Sequence, residues 1–111
     1  MENTSTNVID IIKKLSDLNF QKDVWLEGKY WDRVSSFDEA VNTLEDYNFF
    51  SYIKENKMGL TESEKNKIES FNTKLIGYDG EDFQLMLNDP LWKTIANEAN
   101  EIVKILENYT W

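Results

Sequence analysis

Apolar residues return at three- and four-residue steps along most of the chain, which is the period of an amphipathic helix and not of a strand. Val8, Ile11, Ile12, Leu15 and Leu18 form the first such stripe, with Lys13, Lys14 and Asp17 on the other side and the hydroxyls of Thr4, Ser5 and Thr6 available to cap its start. Asn19 and Phe20 blur its end. Residues 22–34, which carry Val24, Trp25, Leu26, Tyr30 and Trp31 around Gly28, predict a short helix, with a short extended piece over 24–30 as the alternative. Ser36 followed by Glu39 has the spacing of a capping box, in which hydroxyl and carboxylate each satisfy an orphan backbone N–H. Phe37, Ala40, Val41 and Leu44 then form a stripe that pauses at Tyr47-Asn48 and resumes with Phe49, Phe50, Tyr52 and Ile53, so this region is one bent helix or two.

Met58-Gly59 closes that segment, and Thr61 with Glu64 repeats the capping-box spacing before Ile68, Phe71, Leu75 and Tyr78. A turn at Gly77 and Asp79-Gly80 leads to a short apolar segment of Phe83, Leu85, Met86 and Leu87. Asp89 and Pro90 then read as N-cap and first helical residue, where the missing proline N–H costs nothing. The last stripe is the longest: Trp92, Ile95, Ala96, Ala99, Ile102, Val103, Leu106 and Tyr109, opposed by Lys93, Glu98, Glu101, Lys104 and Glu107. The expectation is an all-α fold, a single compact bundle of about five helices formed by residues 1–111 as one domain, with the last helix as its stability core.

Composition removes most chemistry. The chain of 111 residues has no Cys and no His, so thiolate nucleophiles, imidazole bases and the usual zinc and haem ligands are excluded together. No phosphate-cradling glycine loop or nucleophile elbow is present. Residues 78–82 lack the alternating oxygen ligands of a calcium loop, so neither metal nor cofactor is expected. Asp and Glu are the remaining acid–base material, but Asp38, Glu39, Glu81, Asp82 and Asp89 all fall at predicted helix starts, where the positive end of the helix favours them, and capping is the preferred reading over catalysis. The single arginine, Arg33, reads as a surface partner of Asp32 or Glu27. The expectation is a protein that is not an enzyme.

Charge points to the class of partner. With 21 acidic and 12 basic residues the formal net charge is -9, which opposes binding to nucleic-acid backbones or anionic membranes and suits a basic partner. Two stretches carry acid without any base: residues 79–90, with Asp79, Glu81, Asp82 and Asp89, and residues 37–47, with Asp38, Glu39, Glu45 and Asp46. Solvated faces are the ordinary reading of such runs, and steering of a basic protein is the functional one. Aromatics crowd the region from Trp25 to Phe50; most should fill the core, while one or two of Trp25, Tyr30, Trp31 and Tyr47 are expected to be exposed as anchors. Trp111 either stays loose or folds back on the last helix. No apolar run is long enough for a membrane helix, and Met1-Glu2-Asn3 lacks the basic start of a secretory signal, so a cytoplasmic location is expected.

A small acidic chain with Leu60-Thr61-Glu62-Ser63-Glu64, an aromatic-rich acidic middle, and Leu87-Asn88-Asp89-Pro90-Leu91-Trp92 ahead of an amphipathic helix resembles the small immunity proteins of bacterial polymorphic toxin and contact-dependent growth inhibition systems. The resemblance implies binding of a cognate basic toxin, often a nuclease, in the producing cell's cytosol, by covering its active site or substrate surface. It supplies no motif for the binding residues. From charge and residue type these are expected to be Asp79, Glu81, Asp82 and Asp89, with Asp38, Glu45 and Asp46 as a second set and Tyr30, Trp31 or Tyr47 as anchors. A non-catalytic helical adaptor or regulatory subunit is the alternative, and a carboxylate enzyme the third reading, which requires a concave pocket with two carboxyl groups of separated pKa. The oligomeric state is open.

Overall fold

The computed structural model describes residues 4–26, 37–78 and 82–109. Every regular element among them is helical: α1 (Thr4–Ser16), α2 (Leu18–Phe20), a π-helical turn (Gln21–Leu26), α3 (Phe37–Asp46), α4 (Phe49–Glu55), α5 (Glu62–Gly77), α6 (Phe83–Leu87) and α7 (Pro90–Leu106). Expectations placed on Arg33, the Ser36 cap, Gly80 and Trp111 lie outside the described residues.

Three of the helix starts read from sequence, at Thr61, Asp82 and Asp89, are observed, whereas Thr4, Ser5 and Thr6, expected to cap the first helix, lie inside α1. Thr61 caps α5 through a complete box, its Oγ1 accepting from the Glu64 N–H at 3.1 Å while Glu64 Oε1 accepts from the Thr61 N–H at 3.0 Å. Asp82 Oδ1 accepts from the Leu85 N–H and caps α6; Asp89 Oδ1 accepts from the Leu91 N–H and caps α7, with Pro90 as its first residue. The α7 stripe is buried throughout, with Trp92, Ile95, Ala99, Ile102 and Leu106 wholly shielded from solvent. α1 lays Val8, Ile11, Ile12 and Leu15 against this stripe, and this pairing forms the centre of the molecule. α5 packs on α7 and α4, α3 packs on α1 and α4, and α6 packs on the π-helical turn.

The helix count exceeds the expected five for two physical reasons. The region from Phe37 onward is two helices, because Asn48 takes a left-handed conformation (φ 58°, ψ 30°) that no right-handed helix can continue, and asparagine tolerates this better than most residues. The end of the first stripe is likewise divided: Asp17 leaves the helix and accepts from the Phe20 N–H at 3.0 Å to start α2. The expected helix over 22–34 therefore begins earlier, at Leu18, and winds through Gln21–Leu26 as a π turn; residues 24–26 are helical, and the extended alternative fails there. Val24 and Trp25 are buried by this turn, so Trp25 is core and not an exposed anchor.

Two polar residues are buried that no stripe includes. Gln21 is wholly enclosed: its Nε2 donates to the Lys14 and Leu15 carbonyls at the frayed end of α1, both at 2.9 Å, and its Oε1 accepts from the Trp92 indole N–H at 2.8 Å. One side chain thus satisfies helix-end carbonyls and the single polar atom of a buried tryptophan. Asn72, on the inner side of α5, is buried with its Oδ1 lacking any hydrogen-bond partner.

Candidate functional site

α3 carries the acidic surface. Phe37, Ala40 and Leu44 anchor it in the core, which turns Asp38, Glu45 and Asp46 outward into solvent. Asp38 sits in the first turn, where the helix dipole favours it, but Glu45 and Asp46 sit in the last turn, where it opposes them, and no basic residue compensates there. Each misplaced carboxylate costs about 0.3–1 kcal/mol in such a position. The Phe37 ring stands edge-on to Tyr78 and to Trp92, with centroids 5.9 and 5.5 Å away, so the Asp38 end of α3 lies beside the junction of α5 and α7. Glu45 and Asp46 lie at the far end of a ten-residue helix, roughly 15 Å long.

Elsewhere several surface carboxylates are paired with lysines. Lys67 pairs with Glu101 at 2.8 Å and Lys74 with Glu98 at 2.6 Å across the α5–α7 seam, and Lys13 pairs with Glu107 at 3.7 Å across α1 and α7. The hydrogen bond and charge of Lys67 hold the Glu101 carboxyl below its ordinary range. Glu64 is also held low, chiefly by the Tyr109 hydroxyl that donates to it and then by the Thr61 backbone, and the same contact pushes the Tyr109 hydroxyl up. Among the described residues, no Lys reaches Asp38, Glu45 or Asp46.

The two acidic sets differ in the work their oxygens do. Asp82 is exposed but caps α6, and Asp89 is half-buried, with Oδ1 capping α7 and Oδ2 accepting from the Tyr78 hydroxyl at 2.7 Å. Tyr47 is half-buried and its hydroxyl accepts from Asn7 Nδ2 at 3.0 Å, which ties the α3–α4 junction to α1. Asp79, Glu81, Tyr30 and Trp31 lie outside the described residues. No group of three or more Asp and Glu residues is gathered as a metal site among the described residues.

Sequence reasoning missed three exposed apolar side chains. Ile76, Leu85 and Leu91 are the large hydrophobics exposed among the described residues, at 56%, 69% and 53%, and all occur where α5 ends, α6 runs and α7 begins. A signal was available for two of them: Ile76 and Leu91 each stand one position off the buried stripe of their helix, next to Leu75 and Trp92. Between α5 and α7 runs an open groove of about 470 Å³, with Thr73, Lys74, Gly77 and Tyr78 on the α5 side and Asp89, Leu91 and Ile95 on the α7 side. A smaller groove of about 240 Å³ lies between α4 and α5, lined by Phe50, Asn72 and Ile76. No helix among the described residues is long and apolar enough to cross a membrane. No protein family, curated protein or solved structure matches the chain.

Proposed function

We propose that this protein is an immunity-type inhibitor that binds a basic protein toxin, of which a nuclease fits best, and neutralises it by covering its active site or substrate surface with no chemistry of its own. The observation that carries the reading is the placement of Asp38, Glu45 and Asp46 on α3. Asp38, Glu45 and Asp46 are exposed and reached by no lysine among the described residues, while Lys13 of α1 and Lys67 and Lys74 of α5 are paired with carboxylates in and just after α7. Glu45 and Asp46 stand at the helix end that disfavours them, and a local cost without local compensation is what a binding function leaves behind. An inhibitor of a nuclease must occupy the positive field that attracts a polyanion, and a rigid negative surface does so with electrostatically steered association. On this reading the protein acts in the cytoplasm beside the toxin it restrains.

The test is co-expression with a basic toxin encoded beside this gene. Cells should survive with the protein and die without it, and equal death in both cases overturns the reading. The triple variant Asp38→Asn/Glu45→Gln/Asp46→Asn should fold as well as the parent, since exposed carboxylates contribute little to stability, yet associate more slowly with the toxin. Raising salt should slow the parent toward the variant, because exposed charges are screened beyond about 8 Å at physiological ionic strength.

The exposure of Ile76, Leu85 and Leu91 favours a second reading, a helical adaptor or regulatory subunit that joins its partner through apolar side chains. An association insensitive to salt supports it over the inhibitor.

A further inference from the structure

We infer that the groove between α4 and α5 is a peptide-binding site, in which the Asn72 carboxamide holds the main chain of an extended, uncharged segment of a partner protein. The inference is independent of the acidic surface of α3 and of the inhibitor reading built on it. Spacing makes the groove: Phe50 and Lys54 lie four residues apart on α4, and Glu69, Asn72, Thr73 and Ile76 recur at three and four residues on α5. Asn72 also belongs to the buried face of α5, whose other members, Ile68, Phe71 and Leu75, are apolar. It is only 6% exposed and its Oδ1 has no hydrogen-bond partner. Among the described residues no hydrogen bond engages its Nδ2 either. A carboxamide stranded in this way costs stability that an apolar residue at the same position would not, and a ligand that completes its hydrogen bonds is what accounts for it.

The chemistry of the side chain selects the ligand. A carboxamide carries an acceptor and a donor side by side, and its soft last torsion lets either turn toward the groove. The matching group is one residue of an extended chain, whose N–H and C=O point to the same side, as they do in the paired residues of an antiparallel ladder. Oδ1 accepts from that N–H and Nδ2 donates to that C=O, which fixes the main chain and leaves its side chains to Phe50 and to Ile76, 56% exposed. Lys54 and Glu69 add one charge of each sign, so the groove favours neither a polyanion nor a basic tail. At about 240 Å³ it is smaller than the roughly 300–1,000 Å³ of small-molecule pockets and suits about one residue of a chain lying across it. Every regular element among the described residues is helical, with its main-chain groups engaged internally, so a second copy has no extended segment there to offer.

The test uses the full chain labelled with nitrogen-15, and reads backbone amide shifts together with the side-chain NH2 pair of Asn72. The ligand is N-acetyl-leucine N-methylamide, a single residue between two peptide groups; the control is its N-methyl-leucine counterpart, which keeps the apolar body and lacks the N–H. The first should shift the Asn72 side-chain pair, Phe50 and Ile76 and saturate in the millimolar range expected for its size. The control should bind roughly tenfold more weakly. Extending the ligand by an alanine on each side should tighten binding several-fold. Asn72→Leu should keep or raise the melting temperature while weakening binding at least tenfold, an opposition that a merely structural asparagine would not produce. Ile76→Ser, at an exposed position, should leave melting unchanged and weaken binding several-fold. The inference is overturned if the Asn72 pair does not move, if the control binds equally, or if both variants bind like the parent. No gain from the flanking alanines overturns it in favour of a small amide, and groove shifts that grow with protein concentration alone overturn it in favour of a second copy.

Discussion

The buried Gln21–Trp92 hydrogen bond offers a quantitative test of how the two ends of the chain are joined. Replacing Gln21 by Leu keeps the site filled but leaves the Trp92 indole N–H, wholly enclosed, without an acceptor. A buried donor stranded in this way costs about 1–3 kcal/mol. Two carbonyls also lose their donor; Lys14 O keeps a 3.3 Å bond from the Asp17 N–H, so most of that further loss, about 1 kcal/mol, falls on Leu15 O. The apolar gain from leucine offsets part of the total, giving an expected net loss of about 2 kcal/mol. With a urea dependence of about 1–3 kcal/mol/M for a small protein, the midpoint should fall by roughly 1 M with an unchanged slope. Trp92→Phe removes the donor instead and strands Gln21 Oε1. The double variant strands neither atom of this bond, so its loss should be smaller than the sum of the single losses by about 1–2 kcal/mol. Urea unfolding followed by circular dichroism at the helical band measures all four proteins without relying on tryptophan emission. Additivity within about 0.5 kcal/mol would refute the reasoning, because distant or uncoupled sites behave so.

The remaining predictions concern an unsatisfied atom and a titrating pair. Asn72→Leu removes a buried Oδ1 that has no partner and should raise stability by about 1 kcal/mol in the same urea assay; a loss of that size would mean that the carboxamide is satisfied by something bound in the α4–α5 groove. For Tyr109 and Glu64 the pH dependence is two-sided. Glu64 is lowered on folding, so its contribution is present above its ordinary value near 4.5 and lost as pH falls through the lowered one. Tyr109 is raised, so its contribution is present below its ordinary value near 10 and lost as pH rises through the raised one. The stability difference between the parent and Tyr109→Phe should therefore be flat between those two values and shrink on both sides, as thermal unfolding across pH will show.

Most of what the chain spells out locally it also adopts. Thr61 with Glu64, and Asp89 with Pro90, cap helices where their spacing requires, because an N-cap bond spans only two or three residues and needs no help from the rest of the fold. The α7 stripe is buried position by position, since a long apolar face at helical period has one way to leave water. The acidic stretches were legible as composition only. Which carboxylates are occupied as caps and which stand free depends on where each helix begins, and that separates Asp82 and Asp89 from Glu45 and Asp46.

The sequence by itself determined the helical class and the composition that leaves carboxylates as the main acid–base groups, because these follow from period and residue type. Only the tertiary structure decided the burial of Gln21, whose indole donor lies 71 residues away, and the shape of the grooves beside α5. It also decided that Ile76 and Leu91 stay in solvent although their neighbours Leu75 and Trp92 do not. Periodicity states which residues share a helix face, but whether a second helix covers that face is settled by how α4, α5 and α7 pack around one another.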